Sequence, residues 1–282
     1  MSKIISSIDF SDCSINAFLH ALSIATICKS DLILVWVSKQ TGQQEKSESH
    51  KGDPEGSIKS RFEKMIAEYQ PQLPGNTISY KIRKGKVYKE IAAEEKASKA
   101  LLVVAGTHGA SGFDEFWIGS NANRIVSACK CPVITIRRGI DIKRPLNRIV
   151  LPVDSTSDTR QKATFTGFLA KMHDAEVHIL SLYSSKVKPI RQDVDLYASQ
   201  IARYFEKEEI KYSQKSMEVT NLADAMIDYA REVDANLISI MTEQETTTSN
   251  LWMGPYAQQV VNHSPIPVLS IHPRELMTIA TN

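Results

Sequence analysis

Gly106, Gly109 and the pair Gly119-Ser120 fall within the stretch "GTHGASGFDEFWIGSN", residues 106–121. Glycines lack a Cβ, so at Gly106 and Gly109 a backbone can come close to a ligand. Gly119-Ser120 at the mouth of a helix offers a hydroxyl and a run of free N–H groups, surroundings that favour a phosphate. Without a ligand, the same stretch is a surface loop whose Gly-Ser caps a helix. Asp9 closes the apolar run that begins at Ile4. Its carboxylate can accept hydrogen bonds from a hydroxyl or an amino group. A turn or helix cap would use the same residue, and Ser11 is an equal candidate for the cap. His108 has no carboxylate or cysteine at a spacing that makes a dyad, and reads as a solvated loop residue. Phe113, Phe116 and Trp117 read as anchors of the loop to the core.

These residues need a scaffold, and the composition allows one. The chain has 282 residues, 42% hydrophobic and 23% charged, which suits two ordinary globular domains. A net charge of +2 gives no reason to expect nucleic acid or an anionic membrane as partner. No apolar run reaches the roughly 18 residues of a membrane span. Met1-Ser2-Lys3-Ile4 leads straight into a strand and lacks the layout of a secretory signal, so a cytoplasmic setting is expected. The 4 cysteines form no disulfide framework. Cys13 and Cys28 read as small core residues, and Cys129 and Cys131 lack the two-residue gap of a zinc or redox pair.

The chain repeats itself. "IISSIDFSDCS" at 4–14 matches "IVLPVDSTSDT" at 149–159, pairing Asp9 with Asp154. "CPVITIR" at 131–137 matches "IPVLSIH" at 266–272, and Trp117 with Gly119 stand in the same register as Trp252 with Gly254. Two copies of one domain follow, spanning 1–139 and 146–276, with a charged linker at 137–145. The first copy alternates strands at 3–8, 31–38, 77–82, 101–105 and 133–136 with helices at 14–28, up to Tyr69, 86–98 and from about Ser120. A polar surface loop is expected over 40–56, and the second copy should carry a longer helix at about 192–208. This alternation predicts an α/β fold: two tandem doubly wound parallel sheets of five strands, covered on both faces.

The sequence resembles the universal stress protein family, in its ATP-binding branch. The signature Gly106-x2-Gly109-x9-Gly119-Ser120 carries the resemblance, together with Asp9, "LILVWV" at 32–37 and the closing "CPVITIRR". It covers essentially the whole chain. It implies an adenine-nucleotide α-hydrolase-like fold in each copy, paired through the last strands as an intramolecular pseudo-dimer. It further implies ATP, alone or with Mg or Mn, lying across the strand ends. By this resemblance Asp9 meets the adenosine and the backbone at Val37 borders the adenine. Gly106, Thr107, His108 and Gly109 line the ribose and phosphate side, and Gly119, Ser120, Asn121 and Ala122 hold the phosphates. A homodimer of tandem chains is a further implied partner.

The second copy departs from the signature. Gly106 corresponds to Met241, Gly109 to Gln244 and Gly119-Ser120 to Gly254-Pro255, with Glu243 and Glu245 nearby. Side chains then fill the approach to the phosphates, and Pro255 lacks a donor N–H, although proline suits a helix's first turn. The expected function is a regulatory ATP-binding protein with its nucleotide in the first copy. An enzyme that hydrolyses ATP or transfers adenylate, and a ligand-free scaffold, are the alternatives. Phosphoryl transfer needs cations around the phosphate. The stretch 106–121 contains no Lys or Arg, and the chain has no GxxxxGK[ST] segment.

Overall fold

The computed structural model describes residues 2–38, 54–107, 120–137, 145–242 and 254–273. The first copy runs β1 (Lys3–Ser7), α1 (Asp12–Ile27), β2 (Asp31–Ser38), α2 (Pro54–Tyr69), β3 (Ile78–Lys84), α3 (Val87–Ser98), β4 (Leu102–Gly106), α4 (Ser120–Ala128) and β5 (Val133–Ile136). The second repeats it as β6 (Arg148–Val153), α5 (Lys162–His173), β7 (Glu176–Tyr183), α6 (Lys188–Lys207), β8 (Tyr212–Glu218), α7 (Leu222–Glu232), β9 (Leu237–Met241), α8 (Pro255–His263) and β10 (Val268–Ile271).

Most boundaries shift by one or two residues, α1 to Asp12–Ile27 and β3 to Ile78–Lys84 among them, and two helix starts shift further. Helix α2 starts at Pro54, inside the stretch read as loop, and residues 40–53 of that stretch lie outside the described residues. Helix α6 starts at Lys188 rather than near 192, because Pro189 sits in its first turn, where a missing N–H removes no helical hydrogen bond.

All ten strands join in one sheet, in the order β3-β2-β1-β4-β5-β10-β9-β6-β7-β8. Pairing is parallel within each copy and antiparallel only at the seam, where β5 meets β10 with Ile134 opposite Leu269. The expected pseudo-dimer is therefore present. Alternation along the strands sends side chains to two cores. Ile4, Leu32, Leu34, Leu102 and Val104 join α1, α2, α5 and α6 on one face. Ile5, Ile33, Val35, Val103 and Ala105 join α3, α4, α7 and α8 on the other. The inner strands β4, β5, β9 and β10 are buried on both faces, whereas the outer β3 and β8 are half-exposed and polar.

The thiols behave as core groups. Burial pushes Cys28 up to about 11 and Cys129 up to about 12, with Glu95 adding to the second effect. Cys13 donates to the Ile136 carbonyl at 3.3 Å.

Candidate functional site

Between β1 and β4 the chain reverses the direction in which it adds strands, and open parallel sheets take ligands beyond the strand ends at such a point. Ser7 lies opposite Val35 on one side and Ala105 on the other. Asp9, Val37 and Thr107 are each two residues further on, so one register brings them to the same end of three adjacent strands. Gly106 ends β4. Ser120, Asn121 and Ala122 form the first turn of α4, which packs against β4 and β5. His108, Gly109 and Gly119 lie outside the described residues, as do Phe113, Phe116, Trp117 and Gln244.

The side chains divide by exposure. Asp9 and Asn121 are exposed, Val37 is half-buried, and Thr107 and Ala122 are buried. The Thr107 N–H is committed to the Ile136 carbonyl at 2.9 Å.

Asp9 builds the turn from β1 into α1. Its Oδ1 accepts from the Ser11 N–H at 3.0 Å and from the Ser11 hydroxyl, and its own N–H donates to Ser14 Oγ at 3.3 Å. Ser11 is the helix N-cap, accepting from the Ser14 N–H. The second copy repeats this turn. Asp154 Oδ1 accepts from the N–H and hydroxyl of Thr156, and the Asp154 N–H donates to Thr159 Oγ1 at 3.3 Å. The aspartate is thus a turn residue in both copies.

What separates the copies is the residue after the aspartate and the end of the fourth strand. Phe10 has φ 61, a left-handed backbone uncommon for a bulky side chain, whereas its counterpart Ser155 stays out of that region. The Phe10 ring packs on Phe62 at 4.9 Å between centroids, and the Arg61 guanidinium lies 4.0 Å above it. Arg61 therefore puts a cation beside the strand ends. Its place on the polar helix α2 gave no signal in the sequence.

Gly106 is fitted to α1. A Cβ there would lie 3.0 Å from the carbonyl carbon, the carbonyl oxygen and the Sγ of Cys13. In the second copy Met241 takes this position and is buried in the core. The segment matching the start of α1 is there a 3-10 turn over Ser157–Arg160, and the regular helix begins only at Lys162. Met241 carries a side chain where Gly106 has none, and β9 lies against this 3-10 turn, as β4 lies against α1.

Lys162 is the further residue that the sequence reading passed over. It stands where the first copy has the buried Ala17, and it is itself 2% exposed. Its ammonium donates to Thr159 Oγ1 at 3.0 Å. Burial pulls it down to about 8, against an opposing attraction from Asp154. Aligning Asp9 with Asp154 places Lys against Ala, which was the available signal.

Among the described residues no group of three or more His, Cys, Asp and Glu is placed to hold a metal ion. None of their helices is long and apolar enough to cross a membrane.

Comparison with known proteins agrees with the geometry. A universal stress protein of Methanocaldococcus jannaschii is 28% identical over 145 residues, covering 48% of this chain and 82% of its own length. The crystal structure of a universal stress protein from Archaeoglobus fulgidus superposes with a TM-score of 0.74 at 15% identity, over 96% of this chain and 98% of that one. A functionally unknown protein from Pseudomonas aeruginosa gives a TM-score of 0.65 at 15% identity, over 97% of this chain and 93% of its own. The model of the universal stress protein family matches twice, at residues 1–137 and 145–272. With the duplicated sheet, the switch point and both family matches in place, the chain belongs to the universal stress protein family as a tandem two-domain member.

Proposed function

We propose that the first domain binds one ATP, alone or with Mg or Mn, as a regulatory or structural ligand in a cytoplasmic stress-response protein. The observation that carries this reading is the asymmetry at the two switch points. In the first copy an exposed carboxylate, a glycine at the end of β4 and a left-handed residue at the turn come together. Strained backbone of this kind collects at ligand sites. In the second copy Met241 and Pro255 stand in the matching places.

The residues fit the nucleotide. Asp9 is exposed at the strand ends and can accept from the ribose, and α4 presents the N-terminal end of a helix toward the same side. On this reading the phosphates rest on Gly109, Gly119, Ser120 and Asn121, and adenine lies along the backbone at Val37. The stretch 106–121 has no Lys or Arg, and Arg61, the cation beside the strand ends, is seated over the Phe10 ring, which favours binding over hydrolysis.

Calorimetric titration of the nucleotide-stripped chain with ATP should give a stoichiometry near one, and Gly109→Gln should abolish the heat without changing the melting temperature. ATP recovered from the complex should be intact. Two equivalent sites, or unchanged affinity in the variant, would refute the assignment. Steady release of ADP would refute its non-catalytic part.

A further inference from the structure

On the face of the sheet covered by α1 and α5, the two domains line a partly open cavity of about 20 Å³, room for one water. It is lined by His20, Ser23 and Ile24 of α1, by His173 at the end of α5, and by Ile134, Leu146, Asn236 and Leu237. His173 Nε2 is buried and makes no hydrogen bond among the described residues. We propose that His20 and His173 form an acid-sensitive latch, closed while both imidazoles are neutral and forced open when either takes up a proton.

The physical case is the missing counter-charge. A carboxylate beside a histidine stabilises the imidazolium, and this cavity has none among its lining residues. The charged groups on the packed elements point elsewhere. Asp12 is two turns back along α1. Lys171 donates to the Glu208 carbonyl at 3.1 Å, Asp174 pairs with Lys211 at 2.7 Å, and Lys162 is three turns away at the other end of α5. Asp234 lies 4.0 Å from Arg148. What His20 does face is the other histidine, and a proton on either ring would repel a proton on the other. Burial, then the neighbouring His173, pull His20 down to about 4, and burial alone lowers His173.

The sign follows from linkage. The closed chain binds protons more weakly than the open one, so the latch is fully effective above pH 6.5 and weakens as pH falls from 6.5 toward 4. For His20 this amounts to a rise of about 80-fold in the open-to-closed ratio between pH 6.5 and pH 4, approaching about 300-fold only at lower pH. The seam on the other face behaves differently. There His272 donates through Nε2 to the Val126 carbonyl at 2.6 Å, with Thr242 Oγ1 2.6 Å from Nδ1, so a proton on His272 leaves its bond across the seam intact. Opening is therefore expected on the α1–α5 side.

Scanning calorimetry of the full chain tests this. At pH 7.5 one cooperative transition is expected, and at pH 5 two, as the domains uncouple before either melts. His20→Leu/His173→Leu should keep a single transition at pH 5, and His20→Gln/His173→Gln is the check if the leucine variant packs poorly. A wild-type chain with one transition at both pH values would overturn the latch, as would variants that split as the wild type does. NMR titration of the wild-type imidazoles decides independently of any variant. In the closed chain both rings should titrate below pH 6.5, His20 near 4, and ordinary protonation near pH 6.5 would overturn the proposal.

Discussion

Replacing Gly106 with alanine separates two reasons for a glycine at the end of β4. The added methyl would meet three atoms of Cys13 at 3.0 Å, where carbon contacts are comfortable at about 3.5–4.0 Å. Two of those atoms are backbone in the first turn of α1, and the third, Sγ, is held by its hydrogen bond to the Ile136 carbonyl. Relief therefore requires α1 to move by a few tenths of an ångström, against the Asp9–Ser11–Ser14 hydrogen bonds that fix its start. Overpacking of this kind costs about 1–3 kcal/mol. At about 2–4 °C per kcal/mol for domains of this size, the nucleotide-free melting temperature should fall by roughly 2–12 °C. Calorimetry of the stripped protein measures the fall, and ATP titration of the same sample measures affinity. Adding Cys13→Ala should recover part of the loss, because it removes the Sγ contact but neither backbone contact. An unchanged melting temperature together with lost ATP affinity would refute the packing argument and make Gly106 a ligand-approach residue.

Two other substitutions test the asymmetry and the seam. Lys162→Met should stabilise the second domain at neutral pH. A lysine lowered from 10.5 to about 8 carries a penalty of about 3 kcal/mol, and the lost bond to Thr159 returns part of it. The gain should be full below pH 8, fall as pH rises through 8 toward 10.5, and vanish above 10.5, where the wild-type lysine is neutral folded or unfolded. A melting temperature equal to or below wild type at pH 7 would count against it. Ile134→Asp places a carboxylate in the β5–β10 pair opposite Leu269 and should separate the domains, seen as independent melting transitions. Retention of one transition would show that the helices alone hold the seam.

The architecture was legible because it repeats. Alternating strands and helices, and the matched ends at 131–137 and 266–272, specify two parallel sheets, and apolar strands such as β4 and β5 announce burial on both faces. The turn role of Asp9 was also visible, since a strand-end Asp followed two residues later by Ser carries its own hydrogen-bonding logic. Gly106 was read for ligand approach, because a sequence records a missing Cβ without naming the atom that would have met it. The 3-10 turn over Ser157–Arg160 was invisible because the strand it lies against, β9, is far along the chain and reaches it only after folding. His20 and His173 went unremarked for a similar reason. Each is an ordinary helix residue until the seam brings the two ends of α1 and α5 together.

The antiparallel join of β5 to β10 has a consequence for how such a protein can change over time. In a symmetric pair made from two identical chains, every substitution appears twice, so a methionine at the end of one inner strand is also imposed on its mate. Here the mate is on the same chain, held at a fixed one-to-one ratio and at high effective concentration by a short connection. One half can exchange glycine for Met241 and alanine for Lys162 while the other keeps both small residues. The fused chain behaves as a heterodimer that never needs sorting, in which one module can specialise while the other is retained to complete the sheet.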